Sequence, residues 1–103
     1  MLRIEEIISM CKDETIILTN HVNERMKERD IKYEDLIIAI LNGKIIEQYE
    51  DDKPYPSCLI MGYTSDNKPL HIIAGVESGM IWLITSYYPT IIKWEDDFIT
   101  RKR

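Results

Sequence analysis

Apolar residues recur at helical spacing in three segments of the first half of the chain. Within each segment, spacings of three and four residues place the apolar side chains on one face, which is the pattern of an amphipathic helix. The pattern predicts three helices, over residues 2–12, 21–30 and 33–41. Their apolar stripes are formed by Ile4, Ile7, Ile8 and Cys11, by Val22 and Met26, and by Leu36, Ile37, Ile40 and Leu41.

Polar residues and a glycine mark the ends of these helices. Asn20 stands where an N-cap is expected before the second helix, because its side chain can accept a backbone hydrogen bond. Lys32 precedes the third helix and carries no such acceptor, so this cap is expected to be weak. Gly43 follows the third helix, at the C′ position where a residue in the left-handed conformation often ends a helix.

The spacing changes from helical to extended after Gly43. Segments rich in β-branched and aromatic residues, separated by loops with proline or glycine, predict strands over residues 44–49, 57–64, 70–76 and 80–88, with an earlier short strand over 15–19. A short helical turn is expected over residues 94–99. Helices followed by a meander of strands predict an α+β fold, with N-terminal helices packed on one face of a four- or five-stranded, mainly antiparallel sheet. The length of 103 residues suits one such domain over residues 1–103.

The hairpin loop sets the predicted register of the last two strands. A three-residue loop over 77–79 would pair Val76 with Met80 and place His71 opposite Thr85. Tyr87 would then lie diagonal to His71, and Gly62 on the preceding strand would face it. The helices are expected to cover the bulkier face of these two strands and to leave the other face free. The bulkier face carries Leu70, Ile72, Ala74, Val76, Met80, Trp82, Ile84 and Tyr88. The free face carries His71, Ile73, Gly75, Ile81, Leu83, Thr85 and Tyr87. A slip of one residue would reverse the faces and bury His71.

The charge of the chain limits the partners that it suits. Eighteen acidic and 13 basic residues give a net charge of −5, whereas a nucleic-acid-binding protein usually has a basic excess or at least a basic face. No apolar run reaches the length of a membrane span, and the acidic start of the chain does not resemble a signal peptide. We therefore expect a cytoplasmic protein with no membrane partner. Its two distant cysteines are expected to be free thiols.

Patterns for metals and cofactors are missing from the sequence. The two histidines stand 50 positions apart, and the acidic runs at 50–52 and 95–97 lack the glycine and the alternation of a calcium loop. No glycine-rich phosphate loop and no nucleophile elbow occur. We expect neither a metal nor a cofactor.

The second predicted helix carries a stripe of His21, Arg25 and Arg29, spaced four residues apart. On a helix this spacing aligns one imidazole and two guanidinium groups, and guanidinium groups suit phosphate. The alternative is a solvated helix face, because residues 21–32 hold four basic and three acidic residues that can pair with one another. Both interpretations stay open on sequence alone.

A second candidate site lies on the predicted sheet. Cleavage of RNA needs a base for the 2′-hydroxyl, positive charge near the phosphate and an acid for the leaving oxygen. His71 and Tyr87 could exchange protons, and Arg25 could supply the charge. The alternative is that His71 is an ordinary hydrogen-bonded histidine of the sheet.

The order of the motifs resembles a known family. The chain reads His-x-x-x-Arg-Met-x-x-Arg-x-Ile from His21, then Asn-Gly-x-Ile-Ile-Glu-x-Tyr, Asp-Asp-Lys-Pro-Tyr-Pro-Ser-Cys-Leu-Ile-x-Gly, Pro-Leu-His-Ile and finally Tyr-x-Pro-x-x-x-x-Trp-Glu-x-Asp-Phe-x-x-Arg. This is similar to a family of small prokaryotic domains of unknown function in the RelE/ParE-like toxin superfamily, close to BrnT-like toxins. The resemblance extends from about residue 21 to 101.

The resemblance implies a helix-covered sheet, a type II toxin–antitoxin pair with a cognate antitoxin protein, and metal-independent cleavage of mRNA on the ribosome. Carried over by position, the equivalents of the toxins' functional residues would be Arg25, His71, Tyr87 and Arg101, with His21 beside them. Of these, Arg25, His71 and Tyr87 would be catalytic. The substrate would be bound by His21, Arg29, Thr85 and Arg101. The alternative function is a non-catalytic protein-interaction module on the same fold, and a homodimer is left open.

Overall fold

A computed structural model describes residues 1–12 and 16–103 of the protein and gives this part of the chain an α+β fold. The predicted fold class is confirmed: three helices precede the main strands of a five-stranded sheet in the described residues. The helices are α1 (Ile4–Lys12), α2 (Asn20–Glu28) and α3 (Tyr33–Leu41). The strands are β1 (Ile16–Ile17), β2 (Lys44–Tyr49), β3 (Ser57–Tyr63), β4 (Pro69–Glu77) and β5 (Met80–Tyr87).

The ends of the helices differ slightly from the prediction. Thr19, not Asn20, is the N-cap of α2, and its hydroxyl oxygen accepts a hydrogen bond from the backbone N–H of Val22 at 3.2 Å. Lys32 caps α3 without any side-chain hydrogen bond, as expected. The expected end of the first helix at 13–14 and the first residue of the strand expected over 15–19 lie outside the described residues.

The sheet has the strand order β1-β5-β4-β3-β2. All neighbouring pairs are antiparallel except β1 and β5, which run parallel, so the sheet is mixed but mainly antiparallel. The two residues of β1 pair only with Ile81 and Trp82. Among the described residues, the outer edge of β5 therefore has no strand neighbour from residue 83 onward, and α2 packs near this end of the sheet.

The predicted register of β4 and β5 is wrong. The hairpin loop has two residues, Ser78 and Gly79, with φ angles of 54° and 75°, which suit the tight turn that matches strand twist. Glu77 therefore pairs with Met80, and a bulge between Ile73 and Ala74 shifts the pairing again further along. As a result His71 lies directly opposite Tyr87, not opposite Thr85.

The shift changes which side chains of β5 face the helices. Ile81 and Leu83 belong to the buried core under the helices, although the predicted register placed them on the free face. Trp82 lies instead beside the ring of Tyr55, with the ring centroids 6.1 Å apart. A one-residue change in loop length has this effect because successive side chains of a strand point to opposite faces.

Gly62 also differs from its predicted place. It pairs with Leu70 rather than facing His71, and it lies against helix α3. A Cβ atom at Gly62 would be 1.9 Å from the backbone oxygen of Ala39, so only glycine allows the helix to approach this closely. The residue is a packing contact between α3 and the sheet.

The face of the sheet away from the helices is partly covered. The loop before β3 places Tyr55 over Gly75, where an added Cβ would lie 2.4 Å from the tyrosine ring. At the other end, the chain after β5 folds back over His71. This segment was expected to form a helical turn over 94–99, but it forms a tight turn closed by an antiparallel bridge between Trp94 and Arg101.

Candidate functional site

His71 and Tyr87 form a hydrogen-bonded pair at the centre of the covered face. The strand register brings them opposite each other, and Nδ1 of His71 lies 3.2 Å from the hydroxyl oxygen of Tyr87. Nε2 of His71 lies 2.7 Å from the backbone oxygen of Phe98. A carbonyl oxygen can only accept, so Nε2 carries the proton and the Tyr87 hydroxyl donates to Nδ1. The neutral imidazole therefore has both ring nitrogens satisfied.

Burial keeps this pair uncharged. The His71 side chain is fully buried, and burial lowers its pKa below the usual 6.5, an effect that the bond to the Phe98 carbonyl partly offsets. Burial likewise raises the pKa of Tyr87 above 10.0. Nδ1 of neutral His71 accepts the hydrogen bond of the Tyr87 hydroxyl, and Tyr87 is the member of the pair with partial exposure to solvent.

An ion pair lies next to these rings. The guanidinium of Arg101 binds the Glu47 carboxylate through two hydrogen bonds, of 2.8 and 3.1 Å, and lies 4.7 Å above the ring of Trp94. The Arg101 hydrogen bond is the main reason that the pKa of Glu47 is lowered. Trp94 in turn presents its ring at 90° to His71, with the centroids 4.5 Å apart. Arg101 is thus connected to His71 through Trp94.

Tyr49 extends this network along β2. Its hydroxyl donates a short hydrogen bond to the Glu47 carboxylate. Burial, followed by this bond, raises the pKa of Tyr49 to about 12. The phenol therefore stays protonated and holds the carboxylate in the orientation that Arg101 binds.

The turn that carries Phe98 is closed by Asp97. The carboxylate accepts hydrogen bonds from the backbone N–H groups of Ile99 and Thr100, at 2.8 and 2.9 Å, and one from the Thr100 hydroxyl at 2.9 Å. These bonds lower the pKa of Asp97. They hold the turn in the shape, with Phe98 at a φ of 57°, that presents the Phe98 carbonyl to His71.

Two clefts open at the end of β5. The first, which we call the tyrosine cleft, has a volume of about 390 Å³ and contains the cations Lys93 and Arg101. It is lined by Tyr87, Tyr88, Pro89, Thr90, Lys93, Trp94 and Arg101. The second, which we call the arginine cleft, has a volume of about 380 Å³ between α2 and the free edge of β5. It is lined by His21, Val22, Arg25, Arg29, Ile84, Thr85 and Ser86.

The structure divides the predicted site residues between these clefts. His71, Tyr87 and Arg101 gather at the tyrosine cleft, with His71 buried behind it. His21, Arg25, Arg29 and Thr85 gather at the arginine cleft. The two sets of lining residues do not overlap, so Arg25 is not brought to the pair of His71 and Tyr87 with which it was grouped.

Sequence reasoning missed Lys93, which lines the tyrosine cleft, and three groups of the hydrogen-bonded network beside it. Glu47, Tyr49, Lys93 and the Phe98 carbonyl were not among the candidate residues, although Glu47 and Tyr49 stand in one of the quoted motifs. The spacing of Asp97 and Thr100 was a usable signal, since aspartate commonly closes a turn on backbone groups two and three residues later. The contact of the Phe98 carbonyl with His71 could not be predicted from side-chain types, because every residue has a backbone carbonyl.

The part of the chain that the structure describes has neither a candidate metal site nor a candidate membrane span. No three histidine, cysteine, aspartate or glutamate side chains of this part are grouped so that they could hold a metal ion. None of its helices has the length and apolar character needed to cross a bilayer.

The fold and the two clefts define a small α+β domain whose polar residues converge at one end of the last strand. The chain belongs to the family described as "Domain of unknown function (DUF4258)", whose model matches residues 18–88. The matched range includes all of the arginine cleft, His71 and Tyr87, and it ends before Trp94 and Arg101. Neither the curated proteins nor the solved structures gave a match.

Proposed function

We propose that this protein is the toxin component of a type II toxin–antitoxin pair and that it cleaves mRNA at the tyrosine cleft. The observation that carries the proposal is the Tyr87 hydroxyl, which neutral His71 holds in a cleft that also contains Lys93 and Arg101. The resemblance to RelE/ParE-like toxins supports the same class of activity. The partner in this proposal is a cognate antitoxin, and the substrate is mRNA on the ribosome.

The proposed chemistry assigns a proton transfer to the pair. The Tyr87 oxygen takes the proton of a ribose 2′-hydroxyl while its own proton passes to Nδ1 of His71, and the 2′-oxygen attacks the adjacent phosphate. Lys93 and Arg101 balance the negative charge that develops on the phosphate. The 5′-oxygen leaves with the proton of the Tyr87 hydroxyl, which His71 replaces by returning its proton to the Tyr87 oxygen, so that the pair ends neutral and the products are a cyclic phosphate and a 5′-hydroxyl end.

Expression of the protein alone tests the proposal. Wild type should arrest growth and cut mRNA, and Tyr87→Phe should relieve both because it removes the hydroxyl and keeps the ring. Tyr63→Phe is the matched control, since Tyr63 is an exposed tyrosine outside both clefts. Primer extension on a defined message would map the cuts. Absence of both arrest and cleavage with wild type would refute the catalytic proposal.

A second function, a non-catalytic protein-interaction module, is favoured by how completely the charged and titratable groups are paired. His71 is fully buried with both nitrogens bonded, and Arg101 is bound by Glu47 through two hydrogen bonds. In this case the tyrosine cleft binds a partner protein. Coexpression with the product of the adjacent reading frame would then give a stable complex, while Tyr87→Phe would leave growth unaffected relative to wild type.

A further inference from the structure

The arginine cleft contains a cation that the protein holds in place without neutralising it. Nη1 of Arg29 donates to the backbone oxygen of Ser86 at 2.7 Å and to the Thr85 hydroxyl oxygen at 3.2 Å. Both acceptors are uncharged. No carboxylate of residues 1–12 or 16–103 forms a salt bridge with Arg29. The guanidinium is therefore fixed at the free edge of β5, and no ion pair with the described residues neutralises its charge.

Three N–H groups of Arg29 remain for a ligand. A guanidinium has five N–H donors, and the two on Nη1 are used by Thr85 and Ser86. The groups on Nε and Nη2 have no hydrogen-bond partner within the described parts of the chain. Because two bonds already fix the side chain, binding an anion would cost little further ordering.

Ser86 supplies an independent observation at the same place. Its hydroxyl oxygen is buried and has no hydrogen-bond partner among the described residues, and the residue lines the cleft at only 3% exposure. A buried hydroxyl without a partner normally costs free energy, so such groups are rare unless something binds them. The same short stretch of β5 thus carries an unsatisfied hydroxyl and binds a guanidinium that still has three free N–H groups.

The remaining walls of the cleft suit a negatively charged ligand with an apolar part. Arg25 and His21 add basic groups from α2, and no acidic residue lines the cleft although the chain as a whole has a net charge of −5. Glu28 competes with a ligand for Arg25, since its carboxylate lies 3.4 Å from the Arg25 guanidinium in an exposed ion pair. Exposed pairs of this kind are weak and can be exchanged for a ligand. Val22 and Ile84 form an apolar wall.

We propose that the arginine cleft binds the phosphate group of a small phosphate monoester of about nucleotide size. A phosphate offers three terminal oxygens to the donors of this cleft, which come from Arg25, Arg29, Thr85 and Ser86, whereas a carboxylate offers two. The volume of about 380 Å³ exceeds the need of a bare phosphate and lies within the usual range of small-molecule sites. This inference does not rest on the proposed function, because it concerns binding at the other cleft.

Titration calorimetry with 5′-AMP, inorganic phosphate and adenosine tests the inference on the purified chain. AMP should bind more tightly than phosphate, and adenosine should not bind. Chemical-shift changes on adding AMP should be confined to α2 and residues 84–86. If adenosine binds as tightly as AMP, the phosphate assignment is wrong. If phosphate binds as tightly as AMP, the assignment of a nucleotide-sized ligand is wrong.

Matched variants test which groups hold the phosphate. Arg25→Gln should weaken AMP binding about fivefold or more, whereas Arg3→Gln, which removes another exposed arginine, paired with Glu5, should change it less than about twofold. Equal losses would mean a general charge effect and would overturn the proposal. Ser86→Ala should weaken binding about tenfold while the protein unfolds at the same or a higher temperature. Unchanged AMP affinity in folded Ser86→Ala would contradict the assigned role of the hydroxyl.

Discussion

Acidification below neutral pH should destabilise the protein through His71. Folding lowers the pKa of this side chain below its usual 6.5, mainly because the ring is buried. The unfolded chain therefore takes up a proton at a higher pH than the folded chain does. The contribution of His71 to stability is complete above pH 6.5 and is lost as the pH falls from 6.5 toward the folded pKa. A protonated Nδ1 would also become a donor and could no longer accept the hydrogen bond from Tyr87.

The magnitude follows from one proton. A single group can change the free energy of unfolding by at most about 1.4 kcal/mol per pH unit. Domains of this size are stable by only about 5–15 kcal/mol in total, so the loss is measurable by urea unfolding. The window between pH 7 and pH 5 isolates the histidine, because Glu47 and Asp97, whose pKa values folding also lowers, contribute losses only below about 4.5 and 3.8.

Urea unfolding at several pH values, followed by tryptophan fluorescence, is the assay. Trp94 reports on the site directly, since its ring centroid is 4.5 Å from that of His71. Wild type should lose stability from pH 7 to pH 5, and His71→Gln should show a flatter dependence whatever its absolute stability. His21→Asn removes the exposed histidine of α2 and should follow wild type. Equal slopes for wild type and His71→Gln would refute the reasoning, and an NMR titration of His71 provides a second measurement.

Four further substitutions test the cap of α3, the packing of glycines and the ion pair of Glu47. Lys32→Ser should raise the free energy of unfolding by about 0.5–1 kcal/mol in urea, because α3 has no side-chain cap; an unchanged or lower midpoint would contradict this. Gly62→Ala should lower the free energy of unfolding by about 3 kcal/mol or more, since a Cβ would meet the backbone of α3. Gly79→Ala, at φ 75° in open space, should lower it by only about 1 kcal/mol. Equal losses for the two variants would argue against the close approach of α3 to Gly62. Glu47→Gln should lower the free energy of unfolding by about 1 kcal/mol and should increase acrylamide quenching of the tryptophan beside Arg101. Unchanged quenching would mean that the ion pair does not fix the turn.

The helices could be predicted because each buries one stripe of its own side chains. Val22, Met26, Leu36 and Ile40 are buried as their spacing requires, whereas Leu41 of the predicted stripe is exposed and Ala39 is buried in its place. The cap of α2 was misplaced by one residue, since Thr19 and Asn20 both carry an oxygen that can accept the bond. Local chemistry thus determined where the helices form more firmly than where they begin.

The register of β4 and β5 could not be derived in the same way. The register depends on whether the hairpin loop has two residues, Ser78 and Gly79, or three, with Glu77 included. The two-residue turn needs a positive φ at Ser78, which serine rarely adopts. The bulge beside Ala74 then adds a further shift that no repeating pattern signals. The burial of His71 was missed for another reason: the segment that covers it has no periodic pattern and contacts it through a backbone carbonyl.

The alternation of side chains along β5 allows the two proposed activities to be tested separately. Ser86 pairs with Ile72 of the helix-side core and lines the arginine cleft, whereas Tyr87 pairs with His71 and lines the tyrosine cleft. Neighbouring residues of one rigid strand thus serve different sites. Ser86→Ala should weaken phosphate binding and leave growth arrest intact, and Tyr87→Phe should do the reverse. If either substitution abolishes both properties in a folded protein, the clefts act as one site, and phosphate binding at Arg29 would then be a step in the cleavage of RNA.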